Sequence, residues 1–171
     1  MNDLSIQPTY IKYGLIYGVV SLIYAFALFS SGLVTNPAMS VVSIAIGFGI
    51  IFLAIREYRK LNGGYLRLKQ GVMIGLWVGL IAAVVSGLFS MLYNTLINPD
   101  FIPNLIDTLQ AQMEESGAPP EAIEMSLKMY KFMFAPVPSL VVGLLSGIGG
   151  GALYGLIAGA IMKNERPVME E

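Results

Sequence analysis

The stretch GVMIGLWVGLIAAVVSGLFSMLYNTLI, residues 71–97, decides the fold: it runs 27 residues without one charged side chain. A hydrocarbon core of about 30 Å takes about 20 apolar residues of helix. Backbone amides and carbonyls find no water in lipid, so a lone spanning segment must satisfy them internally as a helix. The period-two alternation of a barrel strand is missing. Three more stretches fit the same description, residues 11–31, 37–55 and 136–162, and Lys12 is their only charged residue. The expectation is an all-α fold, a four-helix transmembrane bundle in one membrane domain over residues 1–171. The first span is read as a retained helix, because its apolar run is too long for a signal-peptide core.

Composition agrees. The chain is 56% hydrophobic and 12% charged, against about 25% charged in soluble domains. A net charge of −1 offers no basic field, so no nucleic-acid partner is expected. There is no cysteine and no histidine. That removes disulfides, Cys-His and Ser-His-Asp catalysis and ordinary zinc sites. No cofactor and no metal are expected. Met125, Met129 and Met133 share a spacing of four with Met113 nearby, but they read as apolar filler rather than a copper site.

Punctuation and charge give connections and direction. Thr35-Asn36-Pro37 makes a tight uncharged turn, Asn62-Gly63-Gly64 a second, and Asn98-Pro99-Asp100 stops the third span. Arg56, Arg59, Lys60, Arg67 and Lys69 lie between spans two and three. With Lys12, Lys163 and Arg166, eight of the ten basic residues fall on one side if the spans alternate. The excess of Lys and Arg marks that side as cytoplasmic, so both termini are expected inside. Segment 99–135 is then outside, with Asp100, Asp107, Glu114, Glu115, Glu121 and Glu124. Its apolar residues recur at helical spacing: Phe101, Ile102, Leu105, Ile106, Leu109 and Met113, then Ile123, Leu127, Tyr130 and Phe134. Ser116-Gly117-Ala118-Pro119-Pro120 parts the two sets. The pattern predicts an extracytoplasmic amphipathic helical hairpin that caps the bundle or lies on the membrane.

The run Arg56-Glu57-Tyr58-Arg59-Lys60, the turn Asn62-Gly63-Gly64-Tyr65-Leu66, the glycine-rich third span and Asn98-Pro99-Asp100-Phe101 occur in an order that resembles the domain of unknown function 4199 family. These are small four-helix inner-membrane proteins typical of Bacteroidota. The resemblance covers nearly the whole chain. It implies a multi-pass protein of the bacterial inner (cytoplasmic) membrane, and it brings no catalytic residues with it.

Two patterns single out residues. Gly71, Gly75, Gly79, Ala83 and Gly87 recur every four in the third span. Gly143, Gly147, Gly151, Gly155 and Gly159 do the same in the fourth. Small residues at this spacing make a groove that lets two helix backbones approach closely. The first expectation is that spans three and four pack on each other. The alternatives are the seam of a homo-oligomer or sliding helices of a transporter. Gly149-Gly150-Gly151 also predicts a bend at mid-depth. The second pattern is a polar face on the first span, Tyr10, Tyr13, Tyr17, Ser21, Tyr24 and Ser31. Counted by depth, Tyr24, Ser43, Ser86, Ser90 and Ser146 form a candidate hydrogen-bonded layer, or the lining of a small polar cavity.

No span carries an acid, and spans without ionisable groups argue against ion-coupled transport. Asp100 reads as a helix cap and Glu57 as an ion-pair partner on a helix. The expected function is therefore a non-catalytic assembly or scaffold subunit, with membrane lipids and a second copy or another membrane protein as partners. The alternative is a small oligomeric transporter or channel for a lipid or small solute.

Overall fold

The computed structural model describes residues 5–33 and 36–165; Thr35 and Arg166, used above for a turn and for the charge count, lie outside them. It is helical throughout, with six helices among the described residues: α1 Gln7–Ser30, α2 Pro37–Leu61, α3 Leu68–Leu92, α4 Phe101–Glu115, α5 Pro120–Met133 and α6 Pro136–Met162. Among the described residues four stretches are long and apolar enough to cross a membrane: Gln7–Leu28, Pro37–Leu61, Leu68–Ile97 and Pro136–Met162.

Boundaries differ from the sequence reading where a packed residue lies beyond the apolar run. The helix expected to stop at residue 55 continues to Leu61, because Ile55 and Tyr58 face the core and are 0% and 1% exposed. Asn36 caps α2 at the other end, its Oδ1 accepting from the Ala38 N–H at 2.9 Å, with Pro37 in the first turn. The third span ends in a π-helical turn, Tyr93–Ile97, closed by the Asn98 N–H donating to the Tyr93 carbonyl at 2.8 Å. α6 is one continuous helix through Gly149, Gly150 and Gly151.

The chain divides into two compact units. The first holds residues 1–86 and 144–171. Its core is Ile51, Ala54, Ile55 and Tyr58 of α2, Leu66, Ile74 and Val78 of α3, and Ala158 of α6. α1 runs along α3 on this core. Tyr10 stacks on Trp77 with ring centroids 5.5 Å apart. Gly14 and Gly18 lie under Ile81 and Val85, so a Cβ on either would come within 2.6 or 2.8 Å of them. The second unit holds residues 87–143. In it α4 and α5 pack on each other, with Ile106 buried between them and Tyr93 set edge-on to Phe101.

α3 and α6 meet backbone to backbone. A Cβ built on Gly71 would stand 2.8 Å from the Cα of Gly159, and one on Gly75 would stand 2.7 Å from the Cα of Gly155. One on Gly79 would meet the carbonyl of Gly147 and lie 3.1 Å from the Cα of Gly151. Each step of four up α3 is a step of four down α6, ending on Ala83, whose Cβ lies 2.6 Å from the position a Gly147 Cβ would take. The run stops there. Gly87 faces the side chain of Leu140 instead, and a Cβ on Gly143, Gly149 or Gly150 would meet nothing within 4 Å.

Gly75→Leu or Gly79→Leu should therefore lower the thermal midpoint in detergent sharply, on the scale of an overpacked core, about 1–3 kcal/mol or more. Gly143→Ala and Gly149→Ala should be neutral or raise it slightly, since alanine is the better helix former by about 0.5–1 kcal/mol. Equal effects at all four sites would mean that the α3–α6 contact does not hold the fold.

Candidate functional site

α1 and α2 lie side by side, and three polar arrangements line up along them. At the end that carries the α2–α3 turn, the Lys12 ammonium donates to both carboxylate oxygens of Glu57, each at 2.9 Å. The Tyr13 hydroxyl donates to the same carboxylate at 2.7 Å. This joins the two helices and makes Glu57 the ion-pair partner expected of it. Arg56, Arg59 and Lys60 surround Glu57 in sequence, but the face of α2 that carries Glu57 is the one on which α1 lies. Lys12 is half exposed and Glu57 a third exposed, which keeps the pair's Coulomb gain small.

The same end is bound to the segment after α6. Gly63 takes the left-handed conformation (φ 68°) that ends α2, and the Gly64 N–H returns to the Arg59 carbonyl at 2.8 Å. Leu66 and Asn164 then exchange both main-chain hydrogen bonds, at 2.8 and 3.0 Å. Asn164 Nδ2 and Arg59 Nε both donate to the Gly64 carbonyl, at 3.0 and 2.9 Å. Asn62 is buried and donates to the Tyr65 carbonyl. A turn legible as punctuation is thus also a clasp across a sequence gap of 100 residues.

At mid-depth the Tyr17 hydroxyl rests on Gly47, where a Cβ would collide with it, and Tyr154 of α6 comes in beside it. Tyr154 is also edge-on to Phe48, with centroids 6.1 Å apart. Beyond Gly47 the two helices leave a recess of about 490 Å³. Tyr17, Ser21 and Tyr24 of α1 and Ser40 and Ser43 of α2 put hydroxyls along it, and among the described residues no charged one lines it. Ser21 donates to the Tyr17 carbonyl at 2.7 Å, and Tyr24 crosses to the Met39 carbonyl at 2.6 Å.

Of the five residues of the candidate polar layer, Tyr24 and Ser43 share this recess. Ser86 is half-buried on α3 and Ser146 exposed on α6, and neither lines it. Ser90 lies in the second unit and accepts from Asn94 Nδ2, four residues on, at 3.3 Å. The Oδ1 of Asn94 is buried without a hydrogen-bond partner. Asp100 occupies the cap position of α4, but its side chain makes no capping hydrogen bond. The sequence reading missed the Lys12–Glu57–Tyr13 junction and the Asn164 clasp. Lys12 near the start of one span and Glu57 near the end of the next was the available signal for the first. Nothing local to Asn164 announces the second.

These features define a class, the helical proteins with four membrane-span-like helices. Within that class the chain belongs to the DUF4199 family, described as protein of unknown function, whose model matches residues 12–164. The match takes in Lys12, Glu57, the clasp, the recess and both glycine runs. No curated protein and no solved structure matches the chain.

A double-mutant cycle on Lys12→Met and Glu57→Gln should give a coupling of about 1 kcal/mol or less, read from unfolding in detergent and weakened by salt. Tyr13→Phe should cost a further 1–2 kcal/mol or so, as for a hydrogen bond to a charged group. Strict additivity of the two changes would show that the junction contributes nothing.

Proposed function

We propose that this protein is a non-catalytic integral protein of the bacterial inner membrane, acting as an assembly or scaffold subunit. The observation that carries the reading is how the chain uses its chemically capable groups. Gly71, Gly75 and Gly79 of α3 and Gly147, Gly151, Gly155 and Gly159 of α6 pack on each other within one chain. The acid–base cluster at Lys12 and Glu57 sits at one end, tied into a contact between helices. The spans turn mostly apolar surface outward for lipid or protein. A homo-oligomer would then use faces other than the α3–α6 groove.

The reading includes an orientation. The end with Arg56, Arg59, Lys60, Arg67 and Lys69 lies in the cytoplasm with both termini, as the excess of basic residues directs. α4 and α5 form an amphipathic hairpin on the outer side. Met125, Met129 and Phe132 are 77%, 53% and 68% exposed along α5, a face suited to the membrane interface. A second reading, a small oligomeric transporter or channel for a lipid or solute, draws support from the hydroxyl-lined recess between α1 and α2.

Two experiments test these statements. Single cysteines at Ser116 and Leu61, both exposed, can be treated with an impermeant thiol reagent in intact spheroplasts; Asn62 is too buried to serve. Ser116→Cys should label and Leu61→Cys should not, and the opposite pattern inverts the topology. In a deletion strain with a scorable phenotype, Asp100→Asn and Glu57→Gln should complement at normal membrane level, whereas Gly75→Leu should not. Failure of either amide variant with normal folding would favour chemistry or ion transport over assembly.

A further inference from the structure

We propose that the outward face of α2 binds anionic phospholipid, with Arg56 and Lys60 holding the phosphate and the apolar stripe of Val42, Gly49 and Leu53 carrying an acyl chain. The inference rests on the helices spanning a membrane; neither the assembly reading nor the orientation enters it.

α2 has two opposite faces. Ile51, Ala54, Ile55 and Tyr58 belong to the core. At 3.6 residues per turn, Val42, Gly49, Leu53, Arg56 and Lys60 fall within a sector of about 60° on the other side of the helix. Val42 and Leu53 are 40% and 48% exposed, and Arg56 and Lys60 are exposed too. A Cβ on Gly49 would meet nothing within 4 Å. This side of α2 is therefore open from mid-span to the end that carries the two cations.

The charge on that face is uncompensated. The acid nearest in sequence is Glu57, three residues before Lys60, a spacing at which opposite charges pair along a helix. Glu57 is instead held against α1: its two oxygens accept from the Lys12 ammonium at 2.9 Å each, and one also accepts from the Tyr13 hydroxyl. Arg59 is used on the Gly64 carbonyl and Lys163 on Glu165. Among the described residues no acid pairs with Arg56 or Lys60.

Depth identifies what meets these cations. At 1.5 Å per residue, Arg56 and Lys60 lie roughly 28 and 34 Å from Pro37 at the start of α2. A hydrocarbon core is about 30 Å thick, so the pair stands at the level of the phosphates of one leaflet, and Leu53 lies just inside it. A guanidinium matches phosphate oxygens in a fork, and an ammonium adds a point charge beside it. A zwitterionic headgroup would bring a cation for which this face has no acid, because the α1 contact occupies Glu57. An anionic headgroup brings none. The apolar stripe commits the site to a lipid rather than a soluble phosphate.

The test is native mass spectrometry of the purified protein titrated in mixed micelles with phosphatidylglycerol and with phosphatidylcholine of the same chains. The parent protein should favour phosphatidylglycerol by about five-fold for each cation that reaches the phosphate, up to about 25-fold for two. Arg56→Gln/Lys60→Gln should remove most of that preference. Lys128→Gln/Lys131→Gln removes the same charge from α5 and should leave the preference unchanged. Lys12→Met releases Glu57 toward Lys60 and should lower the preference several-fold, and Lys12→Met/Glu57→Gln should restore it. Equal binding of the two lipids by the parent protein overturns the proposal without needing any variant to fold. So does an equal loss in the α2 and α5 variants, which would mean that net charge alone selects the lipid. Displacement by inorganic phosphate, beyond that by chloride at matched ionic strength, would overturn the lipid as occupant in favour of a soluble anion.

Discussion

The contact on which the structure depends is the approach of two bare backbones, α3 against α6. Between helices in lipid there is little hydrophobic gain, since lipid tails are as apolar as leucine, so association rests on close packing and hydrogen bonds. Close packing needs surfaces that match over their length. Gly71, Gly75 and Gly79 on one helix and Gly147, Gly151, Gly155 and Gly159 on the other remove every Cβ that would hold the backbones apart. The two helices can then sum many weak dispersion contacts over several turns. With α6 drawn in on one side, the other faces of α3 are left to Trp77, Ile81 and Val85, which meet Tyr10, Gly14 and Gly18 of α1.

α1 is the complement of that arrangement. It has no glycine run of the same length, and three of its tyrosines each meet a different partner on α2. Tyr13 goes to the Glu57 carboxylate, Tyr17 to the surface of Gly47 and Tyr24 to the Met39 carbonyl. The first lies at the helix end, where an ion pair with Lys12 can stay partly wet. The deeper two use neutral groups. Charge is kept out of the middle of the spans, where its desolvation would be most costly. The recess occurs where this sequence of contacts has its one long interval, between Tyr17 and Tyr24, and small residues fill the positions opposite.

Much of the fold was legible in the sequence. Long uncharged runs, Pro37 and Pro136 at helix starts and Asn98-Pro99 at a helix end carry their meaning locally, because helix length in lipid and the proline ring act on the residues next to them. The uncharged run 136–162 is also the extent of α6. α2 continues six residues beyond the uncharged run 37–55, because hydropathy stops at the first arginine whereas burial continues to Tyr58. The ion pair expected of Glu57 is present, but neighbours in sequence supply several plausible cations, and only the position of α1 shows that Lys12, 45 residues away, is the one it meets.

The sequence by itself determined the number of long apolar helices, their approximate limits and the residues with no bulk beyond Cα. It did so because each of these is a property of a single segment in an apolar solvent. The tertiary structure decided what those residues face. Identical spacing of four places Gly75 against Gly151 and leaves Gly143 open, since Leu140 occupies the space at Gly87. The shared depth of Tyr24, Ser43, Ser86, Ser90 and Ser146 brought only the first two into one recess. Spacing fixes the angle at which a side chain leaves its own helix. The neighbouring helix it meets depends on how the helices are rotated against one another, and that is set by the closest contact among them.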